Sequence, residues 1–204
     1  MPTIVHGFDW PDRVVIGALG EPGARTFYLQ ARAGSRLTSV IIEKEQSAAL
    51  AEKIDEILDL LMAEEGNPFS VPSATADELI DRDDLELPVE PEFRVGMFSL
   101  GWDPSTGQIV MEGYPYADDS EPDYGSYVDD DTDDADDELT GEPGGPPTRQ
   151  YDVSHILSVR IPVGTARAFA ERARDVVGAG RPACPLCGMP MSPEGHVCAL
   201  PGEP

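Results

Sequence analysis

Lysine is almost missing from this chain. Of 14 basic residues among 204, only Lys44 and Lys53 are lysines, and from Val95 to Thr148 there is neither lysine nor arginine. Against 39 acidic residues this leaves a formal net charge of -25. Such a balance keeps a protein soluble and opposes contact with DNA, RNA or an anionic bilayer, because phosphate binding draws most of its strength from Lys and Arg. Long apolar runs are lacking too: nothing approaches the roughly 20 residues of a membrane-spanning helix. The N-terminus has no charged stretch followed by an apolar one, as an export signal would. A cytoplasmic protein without membrane contact is expected. The preference for Arg over Lys, with abundant Ala, Gly and Pro, is the composition of a high-GC bacterial genome.

Catalytic signatures are equally scarce. There is no phosphate-cradling glycine loop of the Walker type and no dinucleotide fingerprint. Two of the three histidines, His6 and His155, stand apart in sequence. Asp152 and Ser154 precede His155, but adjacent strand residues point to opposite faces, which argues against a Ser-His relay. Asp9, Asp12, Glu21 and Asp103 fall around hairpin turns, where acids are ordinarily solvated; a carboxylate cluster is the sharper alternative. No catalytic or cofactor-binding residue is assigned.

Cysteine is used three times, and all three fall in one short stretch. Cys184-Pro-Leu-Cys187-Gly is followed by His196-Val-Cys198, a pattern C-x2-C-x8-H-x-C. Zinc takes four nitrogen or sulfur ligands in a tetrahedron, and three cysteines with one histidine form a closed structural set. The glycine after the second cysteine lets the backbone turn so that both sulfurs face one centre. A redox Cys-x-x-Cys would open a helix, which Pro185, Pro190 and Pro193 oppose. A disulfide framework would leave one cysteine over. Structural zinc held by Cys184, Cys187, His196 and Cys198 is the expectation, with His196 the less usual member of the set.

The charge is concentrated. Residues 118–142 carry a dense acidic run, and Pro143-Gly-Gly-Pro-Pro147 follows it. Few apolar side chains and high like charge cannot offset the entropy of ordering a backbone, so residues 117–148 are expected to be a disordered insertion. The run lacks the regular spacing of a calcium-binding loop.

The remainder repeats itself. Residues 13–20 align with 94–101, sharing Arg13/Arg94, Leu19/Leu100 and Gly20/Gly101. After a Pro- and Gly-containing turn, 26–30 align with the run from Gln108. Residues 37–42 then align with 156–161 through Ser39/Ser158, Val40/Val159 and Ile42/Ile161. A helix follows in each: Leu50, Ile54, Ile57, Leu58 and Leu61 share one face, as do Ala166, Phe169, Ala170, Ala173, Val176 and Val177. The expected fold is α+β, with two duplicated βββα units forming one mostly antiparallel sheet of about six strands, two helices on one face and a pseudo-twofold between the units. The expected divisions are a first unit at 1–63, a linker at 64–91, a second unit at 92–178 and a zinc-binding tail at 179–204.

Pro11-Asp12-Arg13, the stretch Glu-Pro-Gly-Ala-Arg-Thr-Phe-Tyr-Leu-Gln-Ala at 21–31, and the ending Cys184-Pro-Leu-Cys187-Gly…His196-Val-Cys198 resemble an uncharacterised actinobacterial domain-of-unknown-function family, a conserved repeat protein. The resemblance covers most of the chain outside the acidic insertion. It implies a cytoplasmic bacterial protein, often encoded beside a histidine-phosphatase-like protein and a protein resembling lipid kinases. It implies no activity that transfers to residues here.

Together these features favour a protein-interaction or regulatory module with a protein partner. An enzyme with an unrecognised site in the groove between the repeats is one alternative. A nucleic-acid-associated zinc ribbon is another, disfavoured because the segment from Arg149 onward is nearly neutral. The purified protein should carry one zinc per chain by elemental analysis, and Cys184→Ser should lower that content while leaving the repeats folded. No zinc, with three freely titrating thiols, refutes the ligand set.

Overall fold

A computed structural model describes residues 2–116, 154–180 and 191. The expected zinc ligands Cys184, Cys187, His196 and Cys198, and the acidic insertion 117–148, lie outside the described residues. The elements run β1 (Ile4–Asp9), β2 (Arg13–Leu19), β3 (Thr26–Ala33), β4 (Arg36–Ile42), α1 (Lys44–Met62), β5 (Pro91–Asp103), β6 (Gln108–Pro115), β7 (His155–Pro162) and α2 (Val163–Gly178). The fold is α+β, with one mixed seven-stranded sheet ordered β1-β7-β6-β5-β4-β3-β2. β1–β7 and β4–β5 pair in parallel, and the other neighbours are antiparallel.

Three expectations need correction. The strand count falls one short, because β1 adds itself to the edge of β7, in register from Ile4↔His155 to Asp9↔Arg160. A pseudo-twofold is also ruled out for the sheet. A twofold would set like strands of the two halves side by side, whereas β4 lies beside β5, the last strand of one meander parallel to the first of the next. Finally, the alignment of 13–20 with 94–101 is out of step with the pairing. Ile16 pairs with Leu29, but the residue opposite Met111 is Leu100, not Met97. That offset of three residues exchanges the two faces of a strand.

β1 and β2 occupy opposite ends of the strand order, yet only Trp10, Pro11 and Asp12 connect them. In a flat sheet the two strands would lie about 29 Å apart at ~4.8 Å per step. Four Cα steps of ~3.8 Å reach only about 15 Å. The sheet therefore curls until its edges approach. The Asp12 N–H donates to the Arg32 carbonyl at 2.8 Å, the Asp12 carboxylate accepts the Gly34 N–H at 2.6 Å, and Arg36 donates to the Gly7 carbonyl. The Arg36 guanidinium also lies 4.3 Å over the Phe8 ring. β5 makes the bend: its first residues pair with β4, and past an irregularity between Val95 and Met97 it pairs with β6.

Phe8, Ile16, Leu29, Val40, Met111 and Val159 share one core with Leu50, Ile54 and Leu58 of α1 and Phe169, Ala170 and Ala173 of α2. The i, i+4, i+8 spacing of the α1 residues forms a single stripe. Alanines at 166, 170 and 173 let α2 lie close. Arg167 ties the helices together, donating to Asp55 at 3.1 Å and Asp59 at 2.9 Å.

Residues 64–91, expected as a linker, are packed. Val71 joins the core, and Phe69 meets Trp102 edge-on at 4.8 Å. Farther on, the segment crosses the outer face of β2 and β3. Arg13 donates to Asp81 and to the carbonyls of Asp83 and Asp84, and Gln30 exchanges hydrogen bonds with the Glu86 backbone in both directions. This cover explains why β2 is buried at four successive residues while β7 alternates: a strand covered on both faces has no solvent side.

Leu85 is seated directly over Gly17, where a Cβ would come within 2.5 Å of its Cγ. Gly17→Val should displace this strap and cost about 2 kcal/mol, in the range for overpacking. Chemical denaturation would show the loss, and hydrogen exchange should rise at residues 83–86 while the helices stay protected. An unchanged midpoint refutes the close packing.

Candidate functional site: a cationic cleft at the start of the first helix

The sheet's curl brings the β2–β3 hairpin, the β4–α1 junction, the start of β5 and the end of α2 around one cleft of about 670 Å³. Arg25, Thr26 and Phe27 come from β3 and the residue before it, Glu43, Lys44 and Glu45 from the α1 entry, Arg94 from β5, and Val177, Gly178 and Gly180 from the end of α2. Gly180 is the last described residue before the cysteine-bearing tail. Two smaller hollows, of about 500 Å³ between α1 and α2 and about 260 Å³ between α1 and β5, are acidic and apolar in lining respectively.

Each cation in the cleft is held differently. Arg94 is paired with Glu43. Arg25 lies 5.4 Å over the Phe27 ring and reaches the Val176 carbonyl at 3.4 Å, near the negative end of the α2 dipole. Its Nε is buried without a hydrogen-bond partner. Lys44 is the first residue of α1 and is exposed. The entry is shaped by Gln46, whose side-chain oxygen accepts the Glu43 N–H at 2.8 Å while its amide donates to the Val95 carbonyl at 3.1 Å. That pair of bonds fixes the start of α1 against β5.

The residues singled out in sequence have mixed fates. His6 and His155 stand on neighbouring strands with Nε2 and Nδ1 3.3 Å apart, and Phe93 is beside both rings. Asp152 lies outside the described residues. Asp9 and Asp103 are each bound by a neutral or cationic side chain. Gln108 donates to Asp9 at 2.9 Å, and Arg160 donates to Asp103 at 2.8 Å. Asp12 instead holds the Gly34 turn, and Glu21 is exposed in its hairpin. Among the described residues no three of His, Cys, Asp and Glu gather as a metal would require.

Sequence reasoning passed over Arg25, Lys44 and Arg94. They are far apart in the chain and carry no motif; only the pairing of β3 with β4, and of β4 with β5, assembles them. The one available signal was the rarity of lysine.

The structure thus defines a class: a curled α+β sheet enclosing two helices, with a charged cleft where they meet. The profile of the family described as "Protein of unknown function (DUF3090)" matches residues 6–198, and the chain belongs to that family. No curated protein and no solved structure matches it. Among the described residues no helix is long and apolar enough to cross a membrane.

The Asp103 carboxyl is held well below the usual carboxylate range, first by the Ser105 hydroxyl and then by Arg160 and the Ser105 N–H. A native pKa below the unfolded value stabilises the fold above the unfolded pKa, about 3.9, and the benefit disappears as pH falls through the native value. Asp103→Asn should therefore lower stability by a constant amount from pH 5 to 7 (about two units of pH), a deficit that narrows below about pH 4. Denaturation of both proteins across that range checks it; a gap independent of pH refutes it.

Proposed function

We propose that this protein is a protein-interaction or regulatory module whose docking site is the cleft bearing Arg25, Lys44 and Arg94. The carrying observation is electrostatic. In a chain of net charge -25, three cations line one cleft, and one of its two carboxylates is taken up by Arg94. A partner presenting an anionic group there meets attraction where the rest of the surface repels it. Steering of that kind gives selectivity as much as affinity.

The module is built by duplication. Supporting this, both meanders share a pairing register, Phe27↔Ile42 and Leu29↔Val40 in one, Ile109↔Ile161 and Met111↔Val159 in the other. Each is followed at once by a helix with Leu50, Ala51 and Ile54, or Phe169, Ala170 and Ala173, buried at matching positions. The two copies stand in tandem. Structural zinc on Cys184, Cys187, His196 and Cys198 completes the proposal, the chemistry of a closed thiolate–imidazole set being suited to stapling a Pro- and Gly-rich tail. The setting is a bacterial cytoplasm.

Capture from native cells with the full chain and with Lys44→Glu tests the reading. Lys44 is exposed, so the variant should fold. A partner retained by wild type and by Lys53→Glu, on the same helix, should be lost with Lys44→Glu. Identical partner sets for all three proteins reject the cleft as the docking site.

A further inference from the structure

We infer that the group received by the cleft is a phosphate, a tetrahedral dianion; this rests on the cleft being the docking site and names what it recognises. Among the described residues the cations are nearly all occupied. Arg13, Arg32, Arg82, Arg94, Arg160 and Lys53 have carboxylate partners. The two arginines of α2 that face α1 also pair with carboxylates, while Arg36 and Arg172 are bonded to backbone carbonyls. Arg25, bonded only to the Val176 carbonyl, and Lys44 also have no carboxylate partner, and these two line the same cleft. Lys44 is the one described cation with neither an ion pair nor a hydrogen bond.

Two cations without carboxylate partners in one cleft suit a doubly charged group. A carboxylate would neutralise one and leave the other exposed to no purpose. The donors are also of the right kind. Arg25 offers a planar guanidinium and Lys44 a point charge, the two complementary ways in which proteins hold phosphate. Behind them stands the first turn of the 19-residue α1, whose dipole adds positive potential at the same place. The Thr26 hydroxyl is a neutral donor on the wall, and Gly178 and Gly180 leave the opposite wall without bulky side chains.

Glu45 opposes the assignment, since it lines the cleft as an unpaired carboxylate. Its presence makes a sharp test, because removing its charge should tighten phosphate binding and do nothing for a site that only holds helices together. A phosphate can come from a phosphorylated side chain of a protein or from a small phosphate ester, and the cleft chemistry is common to both.

The experiment follows amide shifts of the full-length protein by NMR at low salt, titrating inorganic phosphate, O-phosphoserine and a short phosphoserine peptide, with acetate as the monoanion. The amides at 25–26 and 44–46 should move with the three phosphates and not with acetate. Lys44→Ala should weaken binding about tenfold, the scale of one charge-assisted hydrogen bond. Glu45→Gln should tighten it several-fold, and Lys53→Ala should leave it unchanged. A peptide that binds more tightly than phosphoserine identifies a phosphoprotein as the source; the reverse order identifies a small ester. No shift at these amides, or equal binding by wild type and Lys44→Ala, overturns the phosphate assignment. If Lys44→Glu still abolishes partner capture in that case, the docking site stands and only its chemistry is wrong. If phosphate binds but capture is unaffected, the module reading fails and the phosphate site survives.

Discussion

Three residues between Asp9 and Arg13 constrain the whole molecule. They join strands at opposite ends of the sheet order, and so short a link cannot cross the width of a flat seven-stranded sheet. The sheet has to curl, and much else follows. A curled sheet has an inside, which the apolar stripes of α1 and α2 fill. It has a seam, where Arg36 of β4 reaches the Gly7 carbonyl of β1 while Asp12 anchors the short link to β3 and its turn. It also needs a bend, which β5 supplies by changing partners from β4 to β6 across its irregular step.

Curling also divides the outer surface in two. Over β2 and β3 the chain between α1 and β5 doubles back, so Gln30 and Ser39 are buried as a bonded polar pair instead of facing water. Their burial is tolerable because the amide of Gln30 is satisfied on both of its ends. Over β6 and β7 the outer face stays open, and alternation is kept. The ends of four elements meet on the side where β4 hands over to α1, which is why a cleft forms there. Two of its cations, Arg25 and Lys44, have no carboxylate partner, whereas most other described cations do.

The helices and most strands were legible because local patterns carry them: Leu50, Ile54 and Leu58 at helical spacing, Val159 and Ile161 at strand spacing. β1 was not, since His6, Gly7 and Asp9 interrupt any apolar signal and its stability comes from β7, far along the chain. The strap was illegible for a similar reason. It reads as a linker, yet Asp81 is bound by Arg13, and Leu85 finds its seat only because residue 17 has no side chain. The tandem order, in place of a twofold, depends on which strand edges meet, and side-chain pattern is silent about edges. The cleft could not be read at all: Arg25, Lys44 and Arg94 are ordinary residues until pairing across β3, β4 and β5 makes them neighbours.

The pairing of β1 with β7 has a further meaning in time. β1 is made well before β7 and yet lies against it, Ile4 opposite His155. A chain made from its N-terminus must therefore hold Phe8 without its final neighbour until some hundred and fifty residues more have been added. Contacts so distant in sequence are slow to form, because the entropy of closing the intervening chain comes before any return from packing. The β2–β3–β4 meander and α1 can assemble early, from local contacts, whereas the seam stays open. Closure of this sheet therefore waits for β7, long after β5 has covered the edge of β4.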